Sequence, residues 1–162
     1  MIQKMMDSNY FKQLVQNIVQ RGTELKNSHT KEWKAVVNYS CIFTHSDQEY
    51  QLLDTEAQSL GSEVKNTEMG KVYLLHEAIE TVAGPLRIVK VRKPDPKRPE
   101  QGDADFTLAD YQAFKKAHLN EPGYKLITRP QMEMIELADP KFDVLAYFSH
   151  PTLAEVLGVA LV

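Results

Sequence analysis

AVVNYSCIFTHSDQEY, running from Ala35 to Tyr50, passes from a strand pattern into a helix pattern without an intervening loop. The part up to Thr44 is rich in β-branched and aromatic residues and is too short for a buried helix, so it predicts a strand. Ser46 and Glu49 then have the spacing of a capping box, which marks the start of a helix. The apolar stripe of that helix and the glycine that ends it are Tyr50, Leu53, Ala57, Leu60 and Gly61. This stretch therefore predicts a β-α unit.

Three more strands follow the helix and complete a β-α-β-β-β unit over residues 35–92. They are predicted at Ser62–Thr67, Lys71–Thr81 and Leu86–Arg92, and glycine-containing turns separate them. Residues 93–103 combine prolines with charges and a glycine, a composition that continues neither a helix nor a sheet. We interpret this segment as a linker.

The same order of elements repeats after the linker, over residues 104–148. A short strand at Ala104–Leu108 precedes a helix that begins at Asp110 or Tyr111 and ends near Leu119. Three strands follow, at Tyr124–Arg129, Met132–Leu137 and Lys141–Phe148, and residues 152–161 predict a closing helix. The predicted fold class is α+β, with two tandem βαβββ units around a shared cleft.

The first 34 residues predict an N-terminal helical extension to a single domain over residues 35–162. Apolar residues at helical spacing begin after the capping candidates Asp7 and Ser8, and Gly22 stands where the helix is expected to stop. Cys41 is the only cysteine, which excludes an internal disulfide and a cysteine-based zinc site. The net charge of -3 and the lack of a long apolar run predict a cytoplasmic protein with no nucleic-acid or membrane partner.

One sheet face of each unit is expected to be covered by its helix, so the other face should form the wall of a cleft. Alternation along a strand places Lys90 on that open face, together with Leu86, Ile88 and Arg92. His76 and Glu77 are neighbours in a strand and point to opposite faces unless a bulge intervenes.

Several segments resemble the YecM-like branch of the vicinal oxygen chelate superfamily, which includes glyoxalase I, bleomycin-resistance proteins and extradiol dioxygenases. The similar segments are VYLLHEAI (72–79), LRIVK (86–90), the proline-rich linker through Gly102 and SHPTLAE (149–155). The resemblance covers Ala35 to Leu157 and implies a divalent metal in the cleft, held by His and Glu side chains. The four ligand-equivalent positions carry Tyr39, Lys90, Asp105 and Tyr147. Asp105 is the best single metal candidate among them, and the other three disfavour a metal.

Two functional hypotheses follow. In the first, Lys90 pairs with Asp105 and takes the electrostatic role of the lost metal in a cleft that binds a small anionic or oxygen-rich molecule. In the second, the protein is a divalent-metal enzyme with non-standard ligands, taken from His45, His76, Glu77, Glu133 and Glu136. The predicted cleft residues are Tyr39, His76, Glu77, Lys90, Asp105, Glu133 and Tyr147. The sequence leaves the ligand, the catalysis of any reaction, and the choice between a monomer and a homodimer open.

Overall fold

The computed structural model describes residues 8–159, which contain four helices and eight strands. Helix α1 (Ser8–His29) precedes the first unit. The first unit comprises β1 (Val36–Phe43), α2 (Asp47–Leu60), β2 (Gly61–Thr67), β3 (Gly70–Thr81) and β4 (Gly84–Arg92). The second unit comprises β5 (Gly102–Thr107), α3 (Tyr111–His118), β6 (Tyr124–Thr128), β7 (Glu133–Leu137) and β8 (Val144–His150). Helix α4 (Leu153–Leu157) follows it.

All eight strands form one sheet in the order β2-β3-β4-β1-β5-β8-β7-β6. Within each unit the first strand pairs in parallel with the last, as β1 with β4 and β5 with β8. The two first strands, β1 and β5, pair antiparallel with each other and join the units at the centre of the sheet. The predicted α+β fold of two tandem βαβββ units is confirmed.

The direct passage from strand to helix after β1 has the expected cause. The Ser46 hydroxyl accepts a hydrogen bond from the backbone N–H of Glu49 at 3.1 Å. The Glu49 carboxylate in turn accepts one from the backbone N–H of His45 at 2.9 Å. Two backbone donors at the helix start are thereby satisfied, and the helix ends at Leu60, directly before Gly61.

Helix α1 does not stop at Gly22 as predicted but continues to His29. A Cβ added to Gly22 would lie 3.0 Å from the Cβ of Ala104, so this glycine permits close packing of the helix on β5. The continuation buries Leu25 and Lys26 completely. Tertiary packing therefore outweighs the weak helix propensity of glycine here. The predicted cap Asp7 lies outside the described residues.

Two other predicted boundaries are wrong. The linker ends earlier than expected because β5 begins at Gly102, which places Asp103 inside the strand. The closing helix is shorter than predicted because Gly158 adopts a left-handed conformation with φ of 68° and ends the helix after Leu157. The predicted end at Leu161 lies outside the described residues.

The two faces of the sheet have different surroundings. One face is packed against α1, α2 and α3 through the main core, to which Phe11, Leu53, Val89 and Phe114 contribute. Leu86 also lies in this core and not on the face of Ile88 as alternation predicted, at a point where the pairing of β3 with β4 is irregular. On the other face Ile88 packs with Leu153 and Ala154 of α4, while the centre of the sheet stays open. Within the described range, no helix combines the length and apolarity that a membrane span would need.

Candidate functional site

The open centre of the sheet forms a cavity of about 620 Å³. Its floor is built by side chains of β1, β4, β5 and β8. Its walls are the turn after β2, the segment 129–132 between β6 and β7, and α4. A volume of this size is in the usual range for a small-molecule site. The polar groups of the floor are Tyr39, Cys41, Lys90, Arg92, Asp103, Asp105, Tyr147 and Ser149.

Strand register arranges the floor in two rows across the sheet. In the first row Cys41 lies opposite Lys90 on one side and opposite Asp103 on the other. Because neighbouring strands are roughly 4.8 Å apart, the Lys90 and Asp103 backbones are roughly 10 Å apart. In the second row Asp105 lies between Tyr39 and Tyr147. The structure thus brings together all four residues that stand at the ligand-equivalent positions of the resemblance.

Asp105 is held by hydrogen bonds from the protein itself. Its Oδ1 accepts from the side-chain amide of Asn38 at 3.2 Å and from the backbone N–H of Ser149 at 3.3 Å, and its Oδ2 accepts from the Ser149 hydroxyl. Burial raises the pKa of Asp105 to about 6, and these hydrogen bonds limit the rise because they stabilise the ionised form. Both oxygens of this carboxylate are therefore already occupied.

Asp103 lies on the same face of β5, two residues before Asp105, and its surroundings differ. Its Oδ1 is buried and has no hydrogen-bond partner among the described residues. Burial raises the pKa of Asp103 well above the usual range, and the nearby charge of Asp105 raises it further, against the opposing effect of Lys90 and Arg92. The protonated carboxyl is therefore favoured. Asp103 was absent from the sequence-based site, although the Asp-x-Asp spacing within a strand would have indicated it.

Lys90 lies on the open face, as alternation predicted, but it does not pair with Asp105. Within residues 8–159 its Nζ makes neither a hydrogen bond nor an ion pair. Burial lowers the pKa of Lys90. Asp105 is bound by Asn38 and Ser149 instead, while Lys90 is opposite Cys41 and interacts electrostatically with Asp103. The predicted Lys90–Asp105 pair is wrong.

Arg92 supplies a third unsatisfied group. Its Nη2 forms an ion pair with Asp95 at 2.9 Å, but its Nε is buried and has no partner in the described part of the chain. Arg92 lies two residues beyond Lys90 on the same face of β4. Three residues that line this cavity, Lys90, Arg92 and Asp103, therefore each carry a polar atom without a partner within residues 8–159.

The two tyrosines of the second row remain neutral phenols, because burial raises the pKa of both Tyr39 and Tyr147. The Tyr147 hydroxyl donates to Glu136 Oε2 at 2.7 Å, and Arg98 from the linker donates to the same oxygen at 3.1 Å. Glu136, one of the alternative metal ligands, is therefore committed to this network.

The remaining predicted site residues lie elsewhere. His76 and Glu77 are exposed on an irregular part of β3, between Leu74 and Ile79, and line a separate depression. Glu133 accepts hydrogen bonds from Tyr111 and Lys115, both at 2.8 Å. His45 lies outside the cavity, with its ring bonded to the backbone oxygen of Glu100 at 3.0 Å. The structure does not bring these side chains to the cleft.

The residues of the cleft do not fit a divalent metal ion. Of the four ligand-equivalent side chains only Asp105 is an ordinary metal donor, and both of its oxygens accept hydrogen bonds from Asn38 and Ser149. The ammonium of Lys90 would repel a cation in the same space. Across residues 8–159, no three His, Cys, Asp or Glu side chains are grouped in a way that could hold a metal.

Comparison with known proteins supports the fold alone. No family model matches the sequence, and no curated protein sequence matches it significantly. A solved structure described as structural genomics protein EC4020 is similar, with a TM-score of 0.70 and 14% sequence identity. The match covers 89% of this chain and 87% of that chain. At this identity the similarity establishes a shared fold over nearly the whole length of both proteins.

Proposed function

We propose that the cavity binds a small carboxylate and that Lys90 and Arg92 hold it in the place of a divalent metal. The observation that carries this proposal is a set of three residues at one cavity, Lys90, Arg92 and Asp103, each with a polar atom that has no partner within residues 8–159. Buried polar groups in proteins almost always have a partner, so the lack of one at Arg92 Nε and Asp103 Oδ1 favours a ligand, and Lys90 Nζ lies beside them.

The charges around the cavity support an anionic ligand. Its cationic side chains are Lys65, Lys90, Arg92 and Arg129, and its acidic side chains are Glu68, Asp103 and Asp105. The four cationic side chains thus outnumber the three acidic ones, and burial, which raises the pKa of Asp103, reduces the negative charge further. A carboxylate would accept hydrogen bonds from Lys90 and Arg92, while Asp103 would bond a second polar group of the ligand.

We also propose that the chain is a member of the vicinal oxygen chelate superfamily, close to its YecM-like branch, whose metal site is degenerate. The paired βαβββ units and the similarity to protein EC4020 in fold support this assignment. In this proposal Tyr39, Lys90 and Tyr147 stand where the superfamily has metal ligands, so the cleft no longer suits a metal and Lys90 instead suits a carboxylate.

Isothermal titration calorimetry with acetate, lactate, pyruvate and succinate tests the carboxylate site, with the corresponding amides as uncharged comparisons. At least one acid should bind, and Lys90→Met should weaken its binding by about tenfold or more, because a charge-assisted hydrogen bond is lost. Lys93→Met is the matched control, since Lys93 is exposed and does not line the cavity. It should bind as the wild type does.

Two results would contradict the proposal. One is binding of the acids with equal affinity to the wild type and to Lys90→Met. The other is a stoichiometric divalent metal retained by protein purified without chelator and lost in Asp105→Ala, which would favour the metal-dependent enzyme instead.

A further inference from the structure

Lys90 lines the cavity with an amine that no carboxylate of the described chain holds. Two other lysines that are removed from solvent have hydrogen-bond partners: the buried Lys26 donates to Asn27, and the partly buried Lys115 donates to Glu133. Lys90 is partly buried beside the cavity and its Nζ has no partner within residues 8–159. An amine that lines an open cavity and is not held by a carboxylate is accessible to a ligand in that cavity.

The surroundings of this amine lower its pKa and so increase the fraction of molecules in which it is unprotonated and nucleophilic. Removal from water lowers the pKa of Lys90, and the positive charges of Arg92 and Lys65 lower it further, against the opposing effect of Cys41 and Asp103. Desolvation and a neighbouring cation are the two means by which proteins activate lysine as a nucleophile. The Cys41 thiol beside it is not activated, because burial raises its pKa.

A carboxyl group stands across the row from the amine. Asp103 is separated from Lys90 by one strand, with Cys41 between them, and its Oδ1 is free of protein partners. The long lysine side chain can reach across this spacing of roughly 10 Å between backbones toward a ligand bound between the two residues. Asp103 is therefore placed to exchange a proton with a group that reacts at Lys90.

We propose that Lys90 forms an imine with a 2-oxo acid bound in the cavity, an inference that rests on the carboxylate site proposed above. The carboxylate of the oxo acid binds at Arg92, which places the adjacent carbonyl carbon beside the Lys90 amine. The nitrogen attacks this carbon, the carbonyl electron pair moves to oxygen, and oxygen takes up the proton that nitrogen releases. The Asp103 carboxyl then protonates the carbinolamine hydroxyl, water leaves, and a protonated imine remains.

Trapping with borohydride tests this proposal on the full-length protein. Pyruvate and sodium borohydride should convert Lys90 to a secondary amine, seen in the intact mass as an increase of one pyruvate less one oxygen atom. Peptide mapping should place the adduct on Lys90. Lys90→Arg should lose the adduct, Lys93→Met should keep it, and Asp103→Asn should slow trapping by about 100-fold, as loss of a general acid does.

Lactate separates this proposal from the one on which it rests, because it carries the same carboxylate without a carbonyl. Calorimetric binding of both acids without a trapped adduct would overturn the imine and leave the carboxylate site standing. If neither pyruvate nor lactate binds in the calorimeter, both the imine and the carboxylate site are overturned. An adduct spread over surface lysines, unaffected by Lys90→Arg, would also overturn the imine.

Discussion

Tyr147 and Glu136 stand opposite each other on β8 and β7, and the tyrosine hydroxyl donates to the glutamate Oε2 at 2.7 Å. Arg98 binds the same oxygen, so the proline-rich linker is connected to the floor of the cavity through one carboxylate. Glu136 thus fixes the orientation of the Tyr147 side chain. Because the Tyr147 hydroxyl already donates its hydrogen to Glu136, it can act toward a ligand only as a hydrogen-bond acceptor.

Tyr147→Phe is expected to lower the free energy of unfolding by about 1–2 kcal/mol, because a buried hydrogen bond to a carboxylate is lost. Tyr124→Phe is the matched control, since the Tyr124 hydroxyl is buried and has no partner among the described residues. Its removal should be neutral or slightly stabilising. Urea unfolding of the two variants measures the difference, and equal losses would contradict the role given to Glu136.

Stability should fall as pH rises from about 4 to about 6 because of Asp105. Its folded pKa of about 6 lies above the value of about 4 expected in the unfolded chain, so the folded state binds more protons in this window. The loss should be on the order of 2–3 kcal/mol, with no further change from this group above pH of about 7. Asp105→Asn should remove this part of the dependence in urea unfolding.

Asp139 provides a control for this pH dependence, because its pKa is shifted in the opposite direction from that of Asp105. Hydrogen bonds from the backbone of Lys141 and from His29 lower the pKa of Asp139, so its contribution to stability is lost as pH falls. Asp139→Asn should therefore reduce acid sensitivity and leave the fall between about pH 4 and about pH 6 intact. A fall of the same size in Asp105→Asn as in the wild type would contradict the assignment to Asp105.

Gly102→Ala should destabilise the protein by about 3 kcal/mol, because an added Cβ would lie 2.2 Å from the backbone oxygen of Cys41 and 2.9 Å from Ile18 Cδ1. Gly158→Ala provides the comparison, since the added Cβ meets nothing within 4 Å and only the left-handed backbone, about 1 kcal/mol, opposes it. Thermal unfolding should rank the two. A milder effect at Gly102 than at Gly158 would contradict the tight β1–β5 contact.

Cys41 should react with iodoacetamide at least about 100-fold more slowly than free cysteine, because the thiol is buried and its pKa is raised. Complete labelling is expected after addition of urea. Mass spectrometry of timed samples measures both rates. Rapid labelling of the folded protein would show that the thiolate is accessible from the cavity.

Local signals in the sequence predicted most of the fold correctly. Ser46 and Glu49 act through contacts within a few residues, so their spacing identifies a helix start. Gly61 was correctly predicted to follow the helix end, but it is extended there and lies against Leu74 of β3. Gly22 is different, because its role depends on Ala104, far away in the chain. The linker boundary failed for a similar reason, since proline composition conceals a strand that is paired with β1 and β8.

The candidate site was predicted in part. Strand alternation placed Lys90 on the open face, and the family resemblance placed Tyr39, Asp105 and Tyr147 with it; the structure brings all four together at the cavity. The partner of Asp105 was missed, because nothing local in the sequence indicates that Ser149 folds back onto it. His76 was placed in the cleft as a residue type suited to chemistry, yet its strand is irregular there and exposes it.

The antiparallel pairing of β1 with β5 determines the expected ligand stoichiometry. Because these two strands join both halves of the sheet through backbone hydrogen bonds, a single polypeptide supplies every wall of the cavity described above. Saturation is then expected at one equivalent of ligand per chain, with a hyperbolic isotherm, whether the chains associate or not.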